Sequence, residues 1–175
     1  MIEEITINQN ICDEHYYYFI DYLLKKSDTF TFAVPNFGKY ICPFGSCPYN
    51  KGRVQYLDDG SEFLKYKEKV MPKIEKIKSH ISEMYCSEKY GRTTYDRERE
   101  IYVVKIDEFL DRSFFENVGL FDWRYPDFPE DFCFYKNGEC VMESISHEEF
   151  CFCYLVEDEL LNFLDTANIR YFKDR

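Results

Sequence analysis

Asn137-Gly138 lies between two alternating segments, DFCFYK and ECVMESIS, and constrains the fold more than any other feature of the chain. Both central positions of a two-residue hairpin loop need positive φ, which Asn and Gly adopt at least cost. The pair predicts a β-hairpin in which Lys136 faces Glu139 and Tyr135 faces Cys140. Cys133 is then offset from Cys140 by two positions, which argues against a bridge between them. EFCFCYLV at 149–156 alternates again and predicts a third strand. It places Cys151 and Cys153 on one face, opposite Phe150, Phe152 and Tyr154.

Elsewhere the periodicity changes. In 12–26, Tyr16, Phe19, Ile20, Leu23 and Leu24 recur at helical spacing, with Asp13 and Glu14 in the first turn and Lys25 and Lys26 in the last, as the helix dipole favours. TFTFAV at 29–34 and IYVVKI at 101–106 read as strands, as do the shorter RVQYL at 53–57 and IRYF at 169–172. After Ser61, an apolar stripe of Leu64, Val70, Met71, Ile74, Ile77, Ile81, Met84 and Tyr85 predicts a helix over 61–88, kinked or restarted at Pro72, which has no backbone donor. DEFLDRSFF and EDELLNFLDT read as short helices. GRTTYDRERE is expected to be an exposed, mobile, charged segment. The fold class is α+β: a small, mainly antiparallel sheet that includes the Asn-Gly hairpin, with the helices at 12–26 and 61–88 packed on it. Residues 1–175 read as one domain, and any internal division falls near 91–100.

Charge narrows the function. The net charge is −11, and residues 101–175 carry nearly all of it, with 17 acids against 7 bases. Residues 61–100 carry 10 bases against 8 acids. Lys65, Lys69, Lys73 and Lys76 form a basic stripe there, either a solvated face or an internal counterweight to the acidic C-terminal part. A strongly acidic surface repels nucleic acid and attracts basic proteins. No apolar run approaches the roughly 20 residues that span a bilayer, and MIEEITINQN does not read as a secretory signal. A cytoplasmic setting, with the cysteines reduced, is the expectation.

Chemistry-bearing motifs are sparse. There is no P-loop, no G-x-G-x-x-G and no H-E-x-x-H. Three histidines and 7 glycines leave little for a catalytic base or an oxyanion nest. A hydrolase using His147 therefore ranks third among the readings. The second is a zinc-stabilised protein: Cys12 and His15, on one face of a helix start, joined by Cys42 and Cys47 from a Pro/Gly loop, would make a Cys3His set. The first is a binding protein with no catalytic residue and no cofactor. Trp123, Tyr125 and Phe128 stand among Asp127, Glu130 and Asp131, with Glu148 and Glu149 following. Aromatic anchors ringed by acids suit the capture of a basic partner. The competing reading makes this stretch a rigid loop whose aromatics lid the core.

Three stretches, YPDFPED at 125–131, FYKNGEC at 134–140 and SISHE at 144–148, resemble small uncharacterised proteins of Gram-positive bacteria and their mobile elements. The resemblance covers about 123–172 and implies no activity. Small acidic proteins of that setting are often inhibitors, so it implies an immunity or phage counter-defence role. The partner would then be a basic protein surface, such as a nuclease or a nucleic-acid-binding enzyme, with no direct contact to nucleic acid or membrane.

Overall fold

The structure is a computed structural model that describes residues 4–35, 61–116 and 118–174. In chain order the elements are β1 (Glu4–Ile7), α1 (Asp13–Lys26), β2 (Thr29–Pro35), α2 (Ser61–Lys76), β3 (Ile81–Tyr90), β4 (Thr93–Lys105), β5 (Glu130–Lys136), β6 (Glu139–Ile145), β7 (Phe150–Cys153), α3 (Asp158–Thr166) and β8 (Tyr171–Asp174). The strands form one sheet in the order β3-β4-β2-β5-β6-β7-β1-β8, and every neighbouring pair is antiparallel. At eight strands among the described residues, this α+β sheet is larger than the small one expected.

Strand alternation divides the sheet into two unlike faces. Phe30, Phe32 and Val34 of β2, Phe132 and Phe134 of β5, Met142 of β6, Cys151 and Cys153 of β7, and Ile5 and Ile7 of β1 join one buried cluster with residues from all three helices. Its centre is aromatic. Trp123 meets Phe132 edge to face at 4.8 Å, and Phe114 and Phe115 of the 3-10 turn Arg112–Phe115 pack beside it. The opposite face holds a smaller cluster: Ala33, Tyr90, Ile101 and Cys133, with Tyr95 and Tyr135 against them. Between β5 and β6, Asn137 and Gly138 both have positive φ, 53° and 81°, and Lys136 stands across from Glu139.

The helix expected over 61–88 is shorter. α2 ends at Lys76, a 3-10 turn follows at Lys78–His80, and 81–90 is strand β3. Tyr66, Val70 and Ile74 carry the buried side of α2, continued by Ile77 just past its end, while Leu64, assigned to the stripe, is exposed. Ile81, Met84 and Tyr85 fit a helical period by spacing alone, but pairing with the β-branched run of β4 supplies hydrogen bonds a solitary helix end lacks. Nor is GRTTYDRERE a loose segment. β4 starts at Thr93, so the segment forms the β3–β4 turn and the first half of β4. β1 carries no local pattern that marks it as a strand; its four residues are held by β7 on one side and β8 on the other. RVQYL lies outside the described residues.

Candidate functional site

Segment 123–131, the expected docking loop, turns inward. Trp123 is fully buried, and its indole N–H donates to Tyr16 Oη at 2.8 Å. Asp131 is buried as well: Tyr95 Oη donates to it at 2.7 Å and the Ser146 N–H at 2.6 Å. These two residues, expected to face a partner, are inside the protein, because an indole and an apolar cluster hide more surface together than either does alone. Burial pushes the Asp131 carboxyl up to about 6, against the donors from Tyr95 and Ser146.

The other members of that set are occupied internally. The Glu130 carboxylate takes Arg99 Nε at 2.6 Å, and both side chains are largely covered. Asp127 pairs with Lys69. Lys73 Nζ lies 4.5 Å from the centre of the Phe128 ring, and the Tyr125 ring packs against Tyr66 at 5.1 Å. Glu148 and Glu149 stay exposed, 3.8 Å from His147 Nε2 and 4.0 Å from Arg124 Nη1 respectively. Part of the lysine stripe thus serves as the internal counterweight.

The main acid–base network was not visible in the sequence. Thr31, Cys133, Glu143, Phe152 and Thr6 stand in one row across β2, β5, β6, β7 and β1 on the sheet face opposite the helical core. The far end of the β3–β4 pair bends over this row. Its register shifts, so that residues 95–98 of β4 stand against Glu88 alone; such a bulge bends and twists a strand pair. Tyr90 Oη then reaches Thr31 Oγ1 at 2.7 Å. The buried Glu143 takes Arg92 Nε at 3.0 Å, the Arg92 backbone N–H at 3.1 Å and the Tyr154 hydroxyl. Arg92 also contacts Glu4 at 2.9 Å and covers the Phe152 ring at 4.2 Å. Gly91, at φ +55°, fits where a Cβ would stand 2.3 Å from Glu143 Oε2. This network welds the basic middle of the chain to its acidic end.

What remains outside is a different acid–aromatic surface. On α1, Glu14, Tyr17, Tyr18 and Asp21 recur at helical spacing on the side away from the core. Tyr17 and Tyr18 are 44% and 45% exposed. Tyr18 stacks on Phe163 of α3 at 4.4 Å, so the two helices adjoin there, and α3 adds exposed Glu159, one turn before Phe163 and 3.7 Å from Lys26 Nζ. Asp21 carries one internal partner, Arg112. The signal was available, since the solvent-side stripe of the first helix is as periodic as the buried one.

Of the expected zinc ligands, Cys42 and Cys47 lie outside the described residues. Cys12 is the exposed residue preceding α1, and His15 packs against Phe163 at 6.2 Å. Burial, then Asp122 and Asp13, hold the Cys12 thiol above its usual range. Among the described residues, no group of three or more His, Cys, Asp or Glu is placed to hold a metal. For catalysis, Ser79 Oγ lies 3.1 Å from His80 Nδ1, and His80 Nε2 lies 3.0 Å from Asp107 Oδ1. Asp107 Oδ1 also takes the Phe109 N–H at 2.8 Å, inside the 107–110 turn that the Leu110 N–H closes on the Asp107 carbonyl at 3.3 Å. Ser79 and Asp107 are exposed and only the His80 side chain between them is largely covered, so the trio reads as a turn clasp rather than a sequestered nucleophile.

No helix among the described residues is long and apolar enough to cross a membrane. No protein-family model, curated protein or solved structure matches this chain.

Proposed function

We propose that this protein works by binding: it captures a basic protein surface and blocks it, in the manner of an immunity or counter-defence inhibitor. The supporting observation is the outer stripe of α1, where Tyr17 and Tyr18 stand half exposed between Glu14 and Asp21. Tyrosine offers large contact area at low conformational cost, and the surrounding acids steer a basic partner and fix its register. The surplus charge of −11 acts in the same direction at longer range. A nuclease or other nucleic-acid-binding enzyme has the complementary charge, and blocking it requires no chemistry from this chain. The resemblance of 123–172 to small proteins of Gram-positive bacteria and their mobile elements fits that setting.

The test is association with a basic bacterial nuclease at rising ionic strength. Tight binding at low salt that weakens steeply by about 0.5 M, where charges more than a few ångströms apart are screened, is the expected result. Binding indifferent to salt, or none to any basic nuclease of a panel, would overturn the reading.

A further inference from the structure

Asp131 is the extra residue of a bulge in β5. β2 sets Phe32 against Phe132 and Ala33 against Glu130, and Asp131 between them has no counterpart. Its φ is +48°, left-handed for a residue with a side chain. A bulge re-aims a side chain, and this one sends a carboxyl into the protein, where Asp131 is 1% exposed. Its two oxygens serve two segments. Oδ2 takes the Tyr95 hydroxyl at 2.7 Å, from the stretch of β4 that has lost register with β3. Oδ1 takes the Ser146 N–H at 2.6 Å, from the turn between β6 and β7. Asp131 thus ties down the bent end of β3–β4, and Glu143, through Arg92, is a second tie at its tip.

The surroundings of Asp131 offer it no salt bridge. β2 (TFTFAVP) has no titratable side chain. On β4, Arg99 goes to Glu130, the acidic neighbour of Asp131 on β5. His147, next to Ser146, favours the ionised carboxyl and Glu130 opposes it, but the His147 side chain is half exposed and lies 3.8 Å from Glu148. Arg124, in the segment before β5, lies 4.0 Å from Glu149. Among the described residues, two neutral donors therefore stand in for the hydration that an ionised carboxylate loses on burial. Protonated, the carboxyl loses less and keeps both contacts, because its O–H can turn onto Tyr95 Oη.

We propose that Asp131 is a proton-operated tie: protonated, it holds residues 94–98 down on the sheet, and ionised, it lets them open while the 91–92 turn stays anchored by Glu143. Opening lets water reach the carboxyl, which favours ionisation, so opening and proton loss are linked. Burial in the closed state moves the carboxyl up to about 6 from 3.8. A group raised in the closed state stabilises it fully below the open-state value, and that contribution is lost as pH rises through the closed-state value. The bent end is therefore tight in acid and loosens between pH about 4 and about 6. The device is independent of the α1 surface.

Amide exchange of the whole chain, followed by NMR from pH about 4 to about 8 and corrected for intrinsic rates, tests this, with Asp131→Asn and His147→Gln beside the wild type. Expected is a fall of about a hundredfold in the protection of Ser146 and of residues 94–98, complete soon after pH 6. At every pH these amides should exchange faster than those of the α1 core, which marks a local opening rather than global unfolding. Asp131→Asn keeps an acceptor for both donors but cannot ionise, so its protection there should not change with pH. Imidazoles titrate in the same range, so His147→Gln is the control, and it should keep the fall. Flat protection in the wild type, exchange of 94–98 only together with the α1 core, a fall that survives in Asp131→Asn, or one that disappears in His147→Gln would each overturn the proposal.

Discussion

Segment 123–131 and helix α1 have almost the same ingredients, aromatic side chains among carboxylates, and the fold uses them in opposite ways. In 123–131 the aromatics go in: Trp123 is fully buried, Phe128 lies under Lys73, and Asp127, Glu130 and Asp131 each have an internal partner. On α1 the helical period sorts them, so that Tyr16 and Tyr22 go to the core while Tyr17 and Tyr18 stay out. Density of acids and aromatics thus does not mark an exposed surface. What matters is whether the local period can turn part of the set away from the core.

The largest effect should come from the buried end of that contrast. Trp123→Ala removes an indole from a closed aromatic cluster and leaves Tyr16 Oη without its donor. A loss of about 3–5 kcal/mol in chemical denaturation is expected; a loss under about 1 kcal/mol would place Trp123 at the surface after all.

Asp131 gives the next effect, read through pH. Its folded-state value near 6 exceeds the ordinary 3.8. A raised carboxyl stabilises the fold fully below the unfolded value, and that contribution is lost as pH rises through the folded one. Between pH about 4 and about 6 it should cost up to about 3 kcal/mol. Asp131→Asn should therefore flatten the stability–pH curve over that window relative to wild type. Parallel curves would show that the carboxyl is not held as described.

Glu143→Gln should cost about 2 kcal/mol, since it weakens bonds to Arg92 and Tyr154 at a buried position. Faster amide exchange should follow at 89–95, where the bent end of β3–β4 sits on the sheet; exchange unchanged there would separate Glu143 from that contact. Least affected should be Asp127→Asn, within about 1 kcal/mol, because its pair with Lys69 is solvent-exposed.

Much of the fold was legible in short-range pattern. Helix 12–26, the strands around 29–34 and 101–106, the alternation that buries Cys151 and Cys153, and the edge strand near 169–172 all follow from local period. The failures share one cause, long-range pairing. Ile81, Met84 and Tyr85 satisfy a helical count, and only the partner strand decides otherwise. Arg92, Tyr95 and Arg99 read as loose charge because Glu143, Asp131 and Glu130, which hold them, lie 31–51 residues away. The burial of Trp123 and Asp131 escapes the sequence for the same reason. Charge surplus was correctly located in the C-terminal part, but no sequence count shows which acids already have partners.

The most direct test sets the two regions against each other on a basic partner. Tyr17→Ala/Tyr18→Ala and Tyr125→Ala/Asp127→Asn would be compared with wild type for affinity toward a bound basic nuclease, with folding checked by circular dichroism. A drop of at least a hundredfold from the α1 pair, about 3 kcal/mol, with little change from the 125/127 pair is the predicted result. A drop confined to the 125/127 pair would contradict it and return the docking face to the loop.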